Sequence, residues 1–163
     1  VPTYSGKYKV KNRSKYRGNP DNVIYRSLWE RHCFVWLDNN PSVTSWSSEE
    51  TIVPYLYEVD KKYHRYFVDL VFTDRSGKTY MIEVKPEKET IPPTNPNKSK
   101  RYIAESLTYI KNQNKWKAAD KYAKKKGWIF QIWTEKHLQQ LGILPKTAKA
   151  LPKLKPLKAR PKQ

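Results

Sequence analysis

The chain has 163 residues, enough for one ordinary domain with a real core, and its 33 Lys plus Arg against 15 Asp plus Glu leave a net charge of +18, which points to a polyanionic partner. No apolar run approaches the roughly 18 residues of a bilayer span, no basic amphipathic helix carries a wide apolar face, and the start is rich in Tyr, Lys and Arg where a secretory signal would be apolar; nucleic acid is therefore favoured over a membrane. The single cysteine, Cys33, excludes an internal disulfide and a Cys-based zinc finger, and His32, His64 and His137 lack zinc-ligand spacing.

Residues 1–22 read as a basic, aromatic arm. Its cations Lys7, Lys9, Lys11, Arg13, Lys15 and Arg17 suit phosphate contacts, with the tyrosines stacking on sugars or bases. The alternative is a loop draped over the domain, its tyrosines filling surface grooves. Asp21 or Asn22 then caps a helix to about Leu37, with Tyr25, Leu28, Trp29, His32 or Cys33, and Trp36 on one stripe. Its second half is apolar nearly all round and is expected to be buried, Cys33 included. Glu30 follows Arg26 by four residues. The pair is either an exposed helical ion pair or the place where a helix brings a carboxylate to a site.

After Asn39-Asn40-Pro41, a short strand at Val43–Ser48 and an extended piece at Thr51–Val59 flank Glu49-Glu50, and Pro54 marks an edge. Asp60-Lys61-Lys62 forms the turn into the stretch that organises the chain, residues 64–85. Its two apolar, β-branched arms, His64–Thr73 and Thr79–Lys85, are joined by turn chemistry at Asp74–Lys78, which predicts an antiparallel hairpin. A three-residue loop with Gly77 in the left-handed position sets Asp74 opposite Lys78 and Asp69 opposite Glu83. Tyr66, Val68, Leu70 and Phe72 then share an apolar face with Tyr80, Ile82 and Val84. The other face carries Asp69, Glu83 and Lys85.

Opposed carboxylates stand about 4.5–5.5 Å apart at Cβ and repel, so they call for a cation. Lys85 lies on the same face, about 6.5 Å further along the strand. An Asp facing a Glu-x-Lys is what metal-dependent phosphodiester cleavage uses: hard oxygen ligands for Mg²⁺, open positions for water and phosphate, and an amine at the attacking water. The plainer alternative is a half-buried salt bridge on a covered sheet face.

Pro86 ends the Glu83 strand, and residues 91–96 form a loop that either bears on substrate or merely connects. A long helix begins at Lys98, with Asn112-Gln113-Asn114 as a candidate bend, and closes on Lys124-Lys125-Lys126-Gly127. Lys98, Lys100, Arg101, Lys124, Lys125 and Lys126 make it either a solvated face or, as the net charge favours, a phosphate track. Trp128–Trp133 alternates as a strand, with Trp128, Phe130 and Ile132 on one face and Ile129, Gln131 and Trp133 on the other. Thr134 caps a short helix ending near Leu141-Gly142. The expected domain is residues 23–144, followed by a basic, Pro-rich tail, residues 145–163, that should not fold alone. The fold class expected is α/β (α+β), a mixed four- to five-stranded sheet flanked by helices.

The order helix with Glu30, strands, Asp69, Glu83-Val84-Lys85, helix, strand resembles the PD-(D/E)xK nuclease superfamily with its restriction-endonuclease-like core. Within it, Asn12-x-x-Lys15-Tyr16-x-Gly18, Tyr25-Arg26-Ser27-Leu28-Trp29-Glu30, Tyr66-Phe67-Val68-Asp69-Leu70, Ile82-Glu83-Val84-Lys85-Pro86 and Phe130-Gln131-Ile132-Trp133-Thr134-Glu135 are similar to the head completion nucleases of T-even-type tailed phages and, more distantly, to TnsA-like transposon endonucleases. The likeness covers roughly residues 7–140. It implies a Mg²⁺-dependent endodeoxyribonuclease, with Mn²⁺ substituting, acting on packaged viral DNA during head completion. It also implies portal or other capsid proteins as partners, and a place in the host cytoplasm during assembly or on the virion head. In that likeness Asp69 and Glu83 hold the metal with the Val84 carbonyl, Lys85 serves the attacking water, and Glu30 is the helical acid. Val68 stands where the family usually has proline before the aspartate. The alternative function is a non-catalytic DNA-binding or plugging protein of the virion that retains the nuclease fold.

Overall fold

A computed structural model describes residues 4–94, 97 and 99–146. The expectations for Lys98, for residues 95–96 of the loop and for nearly all of the 145–163 tail fall outside them. The described elements run β1 (Gly6–Lys7), β2 (Ile24–Tyr25), α1 (Leu28–Asn39), β3 (Val43–Ser47), β4 (Ile52–Tyr57), β5 (Lys62–Phe67), β6 (Leu70–Asp74), β7 (Thr79–Val84), α2 (Lys100–Lys126), β8 (Ile129–Trp133) and α3 (Glu135–Gln140).

The central sheet is mixed, in the order β3-β6-β7-β8, with helices flanking it. Within the described central sheet, β3–β6 and β6–β7 are antiparallel and β7–β8 parallel; a long crossover such as α2 is what a parallel pair needs. The predicted hairpin register holds from Leu70 opposite Ile82 to Thr73 opposite Thr79, and Gly77 takes φ 87° in the three-residue loop. The Asp74 amide closes that loop on the Lys78 carbonyl at 2.9 Å.

The first arm of that hairpin is not one strand. It bends at Val68-Asp69, so that β5 pairs with β4 in a separate two-stranded ribbon while β6 pairs with β3 and β7. The face assignment therefore holds for Leu70, Phe72, Tyr80, Ile82 and Val84, and fails for Tyr66 and Val68. Those two join Met81 in a second core made by the ribbon (Val53, Tyr55) and α2 (Trp116, Ala119, Ala123). The first core lies across the sheet, where Cys33, Phe34 and Leu37 of α1 meet Trp46, Leu70, Phe72, Ile82, Trp133 and Leu138. The alternation read in β8 matches: Trp133 enters the first core, and Trp128, Phe130 and Ile132 line the second.

Helix α1 starts later than expected, at Leu28, because Ser27 is its cap and accepts the Glu30 amide. The Ser-x-x-Glu spacing carried that signal, and Ile24–Tyr25 upstream is extended against Gly6–Lys7. Helix α2 begins at Lys100 behind a Ser99 cap and ends on Gly127 at φ 71°. It runs unbroken through Asn112-Gln113-Asn114; Asn114 turns its side chain to the ribbon, accepting the Glu58 amide at 3.0 Å.

The N-terminal segment drapes over the first core, with Val10 and Tyr16 buried and Tyr16 bridging in parallel to Trp46. Asp38, buried near the end of α1, anchors it. Its Oδ2 accepts the Tyr8 hydroxyl and the Lys11 amide at 2.7 Å, and its Oδ1 accepts the Asn12 amide at 3.0 Å. Burial pushes the Asp38 carboxyl pKa up, but the hydrogen bonds from Lys11, Tyr8 and Asn12 outweigh it and hold the group below its ordinary value. A folded-state pKa below the unfolded one gives stability that is present above the unfolded pKa and lost as pH falls through the folded value. Asp38→Asn is thus expected to lower stability at neutral pH by on the order of 2 kcal/mol and to flatten the loss of stability below about pH 4. Thermal melts of both proteins from neutral to acid pH check this; parallel curves would be the contrary result.

Candidate active site

Asp69 sits at the bend between β5 and β6, one step beyond the Leu70–Ile82 pair, so the register places it opposite Glu83 of β7. Both are buried, 2% and 6% exposed. The Val84 amide donates to Asp69 Oδ2 at 2.9 Å, a bond across the strand pair that turns the aspartate toward the Glu-x-Lys strand. Glu83 is held from two sides. The Tyr66 hydroxyl donates to its Oε1 at 2.5 Å, and Lys85 Nζ lies 3.3 Å from its Oε2. Asp69, Glu83, Val84 and Lys85 are thereby brought together, as the hairpin register predicts.

Glu30 projects from the first turn of α1 and is 4% exposed. Its Oε1 accepts the Arg26 amide at 3.2 Å. Burial pushes the pKa of the neighbouring Cys33 thiol well up, and the Glu30 and Asp69 carboxylates push it further. Cys33 itself is packed away as a small apolar group. Among the described residues, no group of three or more His, Cys, Asp or Glu side chains stands close enough to hold a metal ion, so Glu30 does not close a cluster with Asp69 and Glu83.

Sequence reasoning missed several side chains around this centre. Tyr66 was assigned to the opposite face, yet it is the residue that fixes Glu83. Lys115 of α2, 5% exposed, lies 5.7 Å from the centroid of the Tyr66 ring and 5.9 Å from that of Tyr55, a buried cation against the ring whose hydroxyl holds Glu83. The four-residue spacing pairs Arg26 with Glu30; its guanidinium instead grips Glu49, twenty-three residues on. No local pattern signals that pairing.

The basic residues expected to meet phosphate lie mostly at the surface, as cations near water do. Lys7, Lys9, Lys11, Arg13 and Arg17 are exposed. Lys15 differs, its Nζ donating to the Leu37, Asp38 and Asn40 carbonyls at the end of α1. Lys100 and Arg101 open α2, and Lys124, Lys125 and Lys126 close it, about 40 Å apart along a helix of 27 residues. Several have local partners: Arg13 with Asp21 and Arg101 with Glu105 at 2.7 Å, Lys124 with Asp120 at 2.9 Å, and Lys126 over the Tyr122 and Trp128 rings.

A mixed sheet flanked by helices, with an acid at a strand bend opposite a Glu-x-Lys, defines a nuclease of the PD-(D/E)xK type. Residues 40–135 match the family model of the TnsA-like endonuclease N-terminal domain, and the chain belongs to that nuclease family. It is similar to the head completion nuclease of Enterobacteria phage T4, with 46% identity over 145 residues, which cover 86% of this chain and 97% of that protein. No solved structure matches the chain.

Proposed function

We propose that this protein is a magnesium-dependent endodeoxyribonuclease that hydrolyses phosphodiester bonds in packaged viral DNA during head completion. The observation that carries the reading is the placing of Asp69, Glu83 and Lys85 at one bend of the sheet, each already oriented by a named partner.

The donor set fits the ion. Mg²⁺ takes oxygen ligands, is held by one or two carboxylates and keeps several waters, so a pair of acids with a backbone carbonyl suffices without a third carboxylate. Asp69 and Glu83 would hold it, with the Val84 carbonyl, and Mn²⁺ would substitute. When bound, the ion supplies an activated water and neutralises charge on the phosphoryl oxygens.

The remaining work belongs to the chain. Tyr66 holds Glu83 Oε1, which leaves Oε2 directed to Lys85. The Val84 amide holds Asp69 Oδ2. Lys85 Nζ, next to Glu83, would orient the attacking water by donating a hydrogen bond to its oxygen. The +18 charge draws duplex DNA to the surface, so affinity should fall steeply with added salt. The relative's name, a head completion nuclease, supports the assignment to phage assembly and to a head protein as second partner.

The test is incubation of the purified protein with supercoiled, linear duplex and single-stranded DNA in Mg²⁺, Mn²⁺ or a chelator. Nicked or shortened products in either metal and none in chelator are expected. DNA left intact in every metal and at every salt concentration would overturn the reading.

A further inference from the structure

We infer that Glu49 and Arg26 are positioning residues, an ion pair that ties the first turn of α1, and Glu30 with it, to the bend that sets Asp69. For its consequence in catalysis, this inference rests on the endonuclease reading above.

The starting observation is a backbone one. Glu49 has φ 57°, in the left-handed region that residues with a Cβ avoid. Where only the turn matters, glycine usually takes such a place. Here the chain holds a glutamate whose side chain is 6% exposed. Its carboxylate receives Arg26 Nε at 3.0 Å and Nη2 at 3.2 Å, two nitrogens on two oxygens. A disfavoured backbone persists where its surroundings use the side chain it carries.

The bend itself is a β-bulge. Between Ser47–Val71 and Ile52–Phe67 the first strand advances five residues while its partner advances four, so Ser48–Thr51 carries one residue extra. The Glu49 amide donates to the Val68 carbonyl at 3.1 Å, and the Val68 amide donates to the Thr51 carbonyl at 3.0 Å. The bulge thus brackets Val68, the residue before Asp69. On its far side the Tyr16 hydroxyl bonds the Ser48 carbonyl and Glu50. Arg26 completes the link, since its own amide donates to Glu30 Oε1. From α1 to the hairpin, the polar path runs Glu30, Arg26, Glu49, Val68, Asp69.

Glu49→Gly separates this role from a merely structural one. It removes the carboxylate while supplying the residue that φ 57° favours, so it should melt no lower than Glu49→Ala, which loses the same pair and keeps the backbone penalty. Assayed well below the melting temperature, Glu49→Gly should lose about 10- to 100-fold in kcat and need more Mg²⁺ for half-maximal rate, with KM for DNA unchanged. Should it melt too low to assay, Arg26→Lys keeps the charge without the fork and is read in the same way. Hydrogen exchange over residues 24–34 and 66–70 should quicken in either variant. Wild-type kcat, Mg²⁺ requirement and exchange in the variants would overturn the inference. If the wild-type protein cuts no DNA, the endonuclease reading fails by itself; exchange then decides the clamp, faster in the variants if it exists and unchanged if it does not.

Discussion

Asp69→Asn is expected to reduce DNA cleavage at saturating Mg²⁺ by about 10³-fold or more, the rate equivalent of the several kcal/mol that metal-centred charge stabilisation supplies. The substitution removes one negative charge and little else. An asparagine oxygen can still accept the Val84 amide, so the bond across the strands and the bend at Val68-Asp69 should persist, and the melting temperature should move little. DNA affinity should hold or rise, because one acid fewer faces the phosphates. Glu83→Gln should behave alike, since its amide can keep the Tyr66 contact. Cleavage surviving at wild-type rate in Asp69→Asn would mean that the acids at the bend do not hold the reacting ion, and a protein that only binds DNA would become the better account.

The largest expected effect on stability lies elsewhere. Trp46→Ala should cost about 3–5 kcal/mol, the range for deleting a large buried aromatic, which in a chain of this length lowers the melting temperature by roughly 10 °C or more. Trp46 is 1% exposed in β3. Its ring meets Tyr16 edge-on at 4.9 Å, Phe34 at 5.5 Å and Tyr8 at 6.2 Å. It is therefore the joint between sheet, helix α1 and the N-terminal segment, whose Arg17 amide also bonds the Trp46 carbonyl at 2.8 Å. Tryptic cleavage after Lys11, Arg13, Lys15 or Arg17 should accelerate in the variant as that segment loses its seat. A melting temperature within a few degrees of wild type, with the segment still protected, would contradict this account of the core.

How legible the site was depended on the range of the forces that build it. The register of β6 on β7 is set by a three-residue loop and by alternating apolar residues, both visible within about fifteen positions, so Asp69 opposite Glu83 followed from the letters alone. The same local logic gave α2, its glycine cap and the faces of β8. It also held the correct start of α1, in the Ser27-x-x-Glu30 spacing, although Asp21 and Asn22 offered a rival cap. It did not hold the break at Val68-Asp69. His64–Thr73 reads as one continuous aromatic and β-branched strand, and nothing in those ten residues says that a bulge in a strand some twenty positions earlier will divide it between two sheets.

The amino-acid sequence by itself determined the charge that suits a polyanion, the hairpin turn, the helix caps, and the presence of two acids and a lysine on one face of the hairpin. These are effects of composition and of residues within about fifteen positions of one another, where propensity, alternation and turn chemistry act without the rest of the chain. The tertiary structure alone decided that Tyr66 turns to Glu83, that Arg26 reaches Glu49, that Lys115 is buried against the Tyr66 ring, and that Tyr16 and Lys15 join the scaffold. Each of those follows from burial. Once two cores close around the bend, a polar group inside is stabilised by whatever part of the chain packing brings near, and distance along the sequence no longer matters.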